Sequence, residues 1–149
     1  MKKLTFLSFT ILLFSMTAFS QILKPVTWSY AAKRTSATTA TIYLKATIDK
    51  GWHLYSQYVK DGGPVKTSFT FPASKEYSLI GKTIEPKPIS KFEPTFNMNV
   101  GFYENSVIFQ QKIKLTSKST AVKGTVQFMV CDDKQCLPPE NIDFTIAVK

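Results

Sequence analysis

The chain holds two cysteines, Cys131 and Cys136, in the stretch Met-Val-Cys-Asp-Asp-Lys-Gln-Cys-Leu-Pro-Pro-Glu that runs from Met129 to Glu140. It has one histidine, His53, far away in sequence. Two cysteines with four residues between them can do three kinds of chemistry. They can cycle as a thiol–disulfide pair, brace a loop as a structural disulfide, or contribute to a metal site. A structural zinc site takes four ligands, usually Cys and His, and this chain supplies too few of them together. Cu(I) could take the cysteines with Met98 or Met129, but no Met-rich or His-rich cluster accompanies them. A Cys–His hydrolase would need a free cysteine beside a second cysteine that could oxidise it. No metal and no cofactor is expected on this reading.

As a staple the bridge is weak. Closing a ring of six residues restricts the unfolded chain by only about 2 kcal/mol. A small surface ring is, however, accessible to an attacking thiolate. Asp132 and Asp133 disfavour a thiolate on their neighbours, and Lys134 partly offsets them. That suits a disulfide that waits to be attacked more than a thioredoxin-like attacker. The spacing leaves redox exchange and a local structural brace both open.

These residues need a scaffold, and its pattern is β almost throughout. Ala40, Ile42, Leu44, Ala46 and Ile48 alternate with polar residues, the period of two of a half-buried strand. Phe69 and Phe71 alternate before Pro72, and Tyr77 to Ile80 makes another short strand. Val107, Phe109, Ile113 and Leu115 share one parity with Gln111 between them; Val126, Phe128 and Val130 do likewise, and Phe144, Ile146 and Val148 end the chain. Asp61-Gly62-Gly63-Pro64 is a turn, and the proline-bearing stretch from Glu85 to Pro94 reads as an extended connection. No window carries a helical stripe. The fold class is all-β, an antiparallel β-sandwich. Cys131 falls at a strand end, and Pro138-Pro139 delays the next strand to about Ile142.

The first twenty residues stand apart. Lys2 and Lys3 precede an apolar run from Leu4 to Phe19 that ends in Ala18-Phe19-Ser20. This is the pattern of a secretory signal peptide cleaved after Ser20, leaving residues 21–149 as one domain in the periplasm or secreted, with no membrane insertion after cleavage. Loss of Lys2 and Lys3 leaves 17 basic residues against 10 acidic ones, about +7. All the basic residues but Arg34 are lysine and they are scattered, unlike the clustered arginines of a nucleic-acid reader.

The cysteine segment, with Cys136-Leu137-Pro138-Pro139-Glu140 at its end, resembles that of the amino-terminal periplasmic domain of the DsbD thiol:disulfide interchange proteins. Two further stretches agree in order: Gly-Trp-His-Leu-Tyr-Ser-Gln from Gly51 to Gln57, and Phe-Tyr-Glu-Asn-Ser-Val-Ile-Phe from Phe102 to Phe109. The resemblance spans Pro25 to Val148 and implies an immunoglobulin-like β-sandwich. It also implies that Cys131 and Cys136 are the redox pair, with Cys136 forming the mixed disulfide. Phe102 and Tyr103 match a cap that shields the disulfide, Tyr55 matches a site tyrosine, and His53 stands where the family often has another aromatic.

The partners implied are a thioredoxin-like redox protein or a membrane electron-transfer protein on one side and oxidised extracytoplasmic proteins on the other, an activity of the protein-disulfide reductase type. Three departures are visible. The loop is one residue shorter than in the best-known members, Val100-Gly101 replaces an acidic residue before the cap pair, and the membrane and thioredoxin-like domains are missing from this sequence. The rival reading is a non-catalytic binding or assembly module in which the disulfide is a local brace.

Overall fold

The computed structural model describes residues 23–149. The segment expected to be a signal peptide, residues 1–20, lies outside the described residues. The described residues form eleven strands: β1 (Val26–Arg34), β2 (Thr39–Ile48), β3 (His53–Tyr55), β4 (Ser68–Thr70), β5 (Tyr77–Ile84), β6 (Ile89–Glu93), β7 (Met98–Tyr103), β8 (Ser106–Leu115), β9 (Thr120–Phe128), β10 (Val130–Cys131) and β11 (Glu140–Val148). All pairings are antiparallel, in three sheets of order β1-β2-β8-β5, β10-β3-β7-β6 and β11-β9-β4.

The alternating residues of β2, β8, β9 and β11 point into one core, where Ile42, Leu44, Phe109, Ile113, Val122 and Val126 are fully buried. Trp28 of β1 joins the layers. Its ring lies 5.5 Å from that of Phe128 and 6.0 Å from those of Phe69 and Phe109. Such close-packed aromatics add to the burial of apolar area that drives folding.

In the second sheet, β10, β3 and β7 are covered on both faces, while the edge strand β6 is largely exposed. Leu54, Tyr103 and Val130 enter the main core, while Tyr55, Val100, Phe102 and Cys131 form a smaller cluster on the opposite face with Val59. This follows from the pleat, which sends successive side chains to opposite sides. The Tyr103 hydroxyl donates to Pro86 O at 2.6 Å. Glu85 accepts from the Gln57 amide at 2.9 Å and from the Ser56 hydroxyl. These bonds tie the segment after β5 to the ends of β3 and β7.

At the free edge of the first sheet the β5–β8 register shifts between Ile80 and Ile84, and Gly81 takes a φ of 67°. Gln111, buried in β8, holds this bulge. Its Nε2 donates to Ile80 O at 3.3 Å and Lys112 O at 2.8 Å, and its Oε1 accepts from the Thr83 hydroxyl at 2.8 Å. A buried amide satisfied on both ends fits the one polar break in the β8 pattern.

Two expectations need correction. The stretch from Glu85 to Pro94 is not only an extended connection, since it contains β6 and leads into a turn that returns as β7. The last strand starts at Glu140, directly after Pro139, because Glu140 already pairs with Phe128.

Candidate functional site

Cys131 ends the two-residue strand β10 and is joined to Cys136 by a disulfide with the Cα atoms 4.0 Å apart. The two residues also face each other as an antiparallel bridge. The ring is therefore a miniature hairpin. Its turn is held by Asp132, whose amide donates to Gln135 O at 2.9 Å and whose carboxylate accepts from the amides of Lys134 at 2.8 Å and Gln135 at 2.7 Å. Those two amides hold the Asp132 carboxyl below its usual range. Leu137 N donates to Val130 O at 2.9 Å and closes the hairpin on its outer side. The two sulfurs sit in unlike surroundings: Cys131 is 4% exposed, in the small apolar cluster, and Cys136 is open to solvent.

A shallow cavity of about 330 Å³ lies against the disulfide, lined by both cysteines, the Asp132–Gln135 turn, His53 and Tyr55 of β3, and the β6–β7 hairpin with Glu93 and Phe96. Neighbouring strands position these groups. His53 lies directly across the ladder from Cys131, and Tyr55 across from Phe102. The His53 ring packs against Phe102 with centroids 4.4 Å apart, and its Nε2 is 2.9 Å from Glu104 Oε1. Tyr55 is buried, and burial, with Glu93 nearby adding to it, pushes its phenol up to about 12. The half-buried Phe96 is carried by a tight turn, in which its amide donates to Glu93 O at 3.1 Å and Asn97 takes a φ of 52°.

Residues 20–147 match the family described as thiol:disulfide interchange protein DsbD, N-terminal. The chain belongs to this family. Solved structures of the same fold agree. The DsbD N-terminal domain of Neisseria meningitidis in the reduced form superposes with a TM-score of 0.52 at 14% identity, covering 80% of this chain and 84% of that one. The N-terminal periplasmic domain of ScsB from Proteus mirabilis superposes at 0.60 and 18% identity, covering 85% of this chain and 47% of that one. A complex between the DsbD and PilB N-terminal domains of Neisseria meningitidis superposes at 0.55 and 13% identity, covering 84% and 87%. No sequence among the curated proteins matches the chain.

Within this DsbD N-terminal fold, an immunoglobulin-like β-sandwich, four of the expected site residues come together: Cys131, Cys136, His53 and Tyr55 all line one cavity. Phe102 and Tyr103 do not line it. They are the last two residues of β7, each 6% exposed, with Phe102 in the cluster with Cys131 and Tyr103 on the other face against Phe109. Phe102 borders the disulfide through its cluster with Cys131 and its packing on His53, while Tyr103 faces the main core. The aromatic on the cavity wall is Phe96. The signal for it was the run Glu93-Pro94-Thr95-Phe96-Asn97, where Pro and Asn mark a turn. Glu104, which pairs with His53, was also missed because it lies in the β7–β8 turn, distant from His53 in sequence.

Proposed function

We propose that this DsbD N-terminal domain passes reducing equivalents from a thioredoxin-like or membrane electron-transfer protein to oxidised extracytoplasmic proteins through Cys131 and Cys136. The observation that carries this reading is the asymmetry of the pair, one sulfur exposed at a cavity mouth and one buried at a strand end. A partner thiolate attacks Cys136 Sγ, a new disulfide forms to the partner, and the bonding pair of the old one leaves on Cys131 Sγ. A second partner thiolate then releases Cys136, and the domain is reduced. Towards a target the reverse holds: Cys136 attacks, and Cys131 resolves the mixed disulfide.

On this reading Phe102 and Tyr103 cap the disulfide, Phe96 adds an outer wall to the cavity beside Tyr55, and residues 21–149 act as one domain in the periplasm after cleavage at Ser20. The similar Neisseria domain has been solved in complex with a PilB domain, which supports a protein partner for this fold. The small ring, worth little as a staple, supports exchange over a structural brace.

The test is the reduction potential of the pair, with transfer from a reduced thioredoxin-like domain followed in the same samples. A potential between about −270 and −180 mV with transfer is expected for an exchange protein. A value well below about −300 mV without transfer marks a structural disulfide and a binding module instead.

A further inference from the structure

The exchange step has an unsolved proton. When Cys136 is attacked, the leaving sulfur is Cys131, which is 4% exposed and packed among Tyr55, Val100 and Phe102. A thiolate there has almost no water to solvate it, and burial without compensation disfavours charge strongly. Glu93 and the turn carboxylates Asp132 and Asp133, which line the same cavity, oppose it further.

His53 is placed to answer this. It is the chain's single histidine, it is the direct cross-strand partner of Cys131, and it lines the cavity with both sulfurs. Opposite residues of an antiparallel pair hold their Cβ atoms about 4.5–5.5 Å apart. An ionised Glu104 can only accept, so His53 Nε2–H donates to it at 2.9 Å. The other nitrogen, Nδ1, is left for exchange chemistry. The arrangement of a carboxylate that orients an imidazole beside a sulfur is the logic by which a nucleophile and its base are paired.

We infer that His53, oriented by Glu104, is the proton donor to the Cys131 sulfur during exchange and the base that takes the proton back. This deepens the reading above and rests on it for the identity of the attacked sulfur. The step balances. The attacking thiolate forms a bond to Cys136 Sγ, the Sγ–Sγ bond breaks, its electron pair goes to Cys131 Sγ, and the imidazolium proton on Nδ1 neutralises it. The products are a mixed disulfide, a Cys131 thiol and a neutral imidazole. In the opposite direction the neutral imidazole removes the Cys131 proton as that sulfur attacks the mixed disulfide.

The charged groups that face His53 are Glu104 in the β7–β8 turn, Lys91 and Glu93 of β6, and Asp132, Asp133 and Lys134 of the cysteine turn. Of these side-chain types, histidine is the one whose charge ordinarily changes between about pH 5 and 8.

The experiment is the rate of reduction of the oxidised protein by dithiothreitol from about pH 5.5 to 9, expressed per dithiothreitol thiolate, for the wild type, His53→Gln and Glu104→Gln. The wild-type rate constant is expected to fall about tenfold as pH rises through the imidazole range, less than the usual contribution of general acid catalysis because a thiolate already leaves well. His53→Gln should lie about tenfold below the wild type at the acid end, flat with pH, and meet it at the alkaline end. Glu104→Gln, which keeps the imidazole but loses its orienting charge, should fall about threefold at the acid end.

If His53→Gln keeps the wild-type profile, the inference is overturned. If His53→Gln does not fold, Glu104→Gln decides: an unchanged profile overturns the inference and a flattened one supports it. Because the small thiol bypasses any protein partner, failure to exchange with a thioredoxin-like domain would sink the proposed function while leaving this profile intact.

Discussion

Cys131 and Cys136 lie 4.0 Å apart at their Cα atoms, yet one is sealed in an apolar cluster and the other is open to solvent. The strand end produces this inequality. Cys131 is the last residue to pair with β3 and takes its neighbours' burial, while Cys136 meets it from a turn that has already left the sheet.

The inequality predicts which cysteine a partner captures. Cys131→Ser, which keeps Cys136, should accumulate a mixed disulfide with a thioredoxin-like domain that lacks its resolving cysteine and carries the remaining one as an activated aryl disulfide, from which Cys136 displaces the aryl thiolate. Cys136→Ser should trap at least about tenfold less, since its remaining sulfur is buried and reactivity follows access. Non-reducing gels and mass spectrometry read the outcome, and equal trapping by the two variants would rule the assignment out.

Phe96 and Phe102 should separate under mutation. Phe96→Ala opens the cavity wall, so dithiothreitol should reduce the disulfide about three- to tenfold faster, with a stability loss of about 1 kcal/mol, as for a half-exposed side chain. Phe102→Ala removes a buried ring and should cost about 3–5 kcal/mol. Reduction kinetics beside urea melts of both variants test this. An unchanged rate in Phe96→Ala would show that the hairpin does not shield the sulfurs.

Asp132 sets how readily the ring closes. Its carboxylate fastens the turn that brings the two sulfurs together, by accepting from two amides. Asp132→Ala should loosen the reduced loop, lower the equilibrium constant for disulfide formation about three- to tenfold and raise the reduction potential by about 15–30 mV. Asp132→Asn keeps an acceptor oxygen and should stay close to the wild type. Equilibration against glutathione measures all three proteins, and an Asn variant as shifted as the Ala variant would mean that charge, not the turn, is responsible.

Tyr55 carries a stability signature at high pH. Burial, then Glu93, raises its phenol to about 12, while an unfolded tyrosine titrates near 10. Between these values the folded state holds the proton that the unfolded state has lost. The contribution is therefore complete below about pH 10 and disappears as pH rises towards 12. Tyr30, Tyr77 and Tyr103 are raised in the same direction, chiefly by burial, so the domain as a whole should weaken in that window. Tyr55→Phe should weaken less steeply than the wild type. Urea midpoints measured at pH 9, 10.5 and 11.5 compare the slopes, and parallel curves would remove Tyr55 from the account.

How much of this was legible in the residues depended on how many faces each strand buries. β2, β8 and β11 have one buried face, so Leu44, Phe109 and Ile146 fall on a visible period of two. β7 is covered on both faces, and there Phe102 and Tyr103 lose the alternation and look like a special pair. β6 fails for the opposite reason: Ile89 and Phe92 are both half exposed and prolines flank the strand, so nothing marks it as a strand at all. The cysteine pair was legible because its chemistry is local. The cavity around it was not, because it joins β3, the β6–β7 hairpin and the cysteine turn, which only the sheet order brings together.

The bulge that Gln111 holds in β5 has a bearing on solubility. A straight, apolar outer strand is a template on which a second chain can stack, and β5 carries half-exposed Leu79, Ile80 and Ile84 at the border of its sheet. The kink at Gly81 interrupts the row of free amides and carbonyls between Ile80 and Ile84, and Lys82 places a charge inside the gap. Both devices discourage lateral growth of a sheet into aggregates. A buried glutamine on the neighbouring strand thus helps keep a sticky border from pairing with a second chain, and Gln111→Leu should be read for fibril formation as well as for folding.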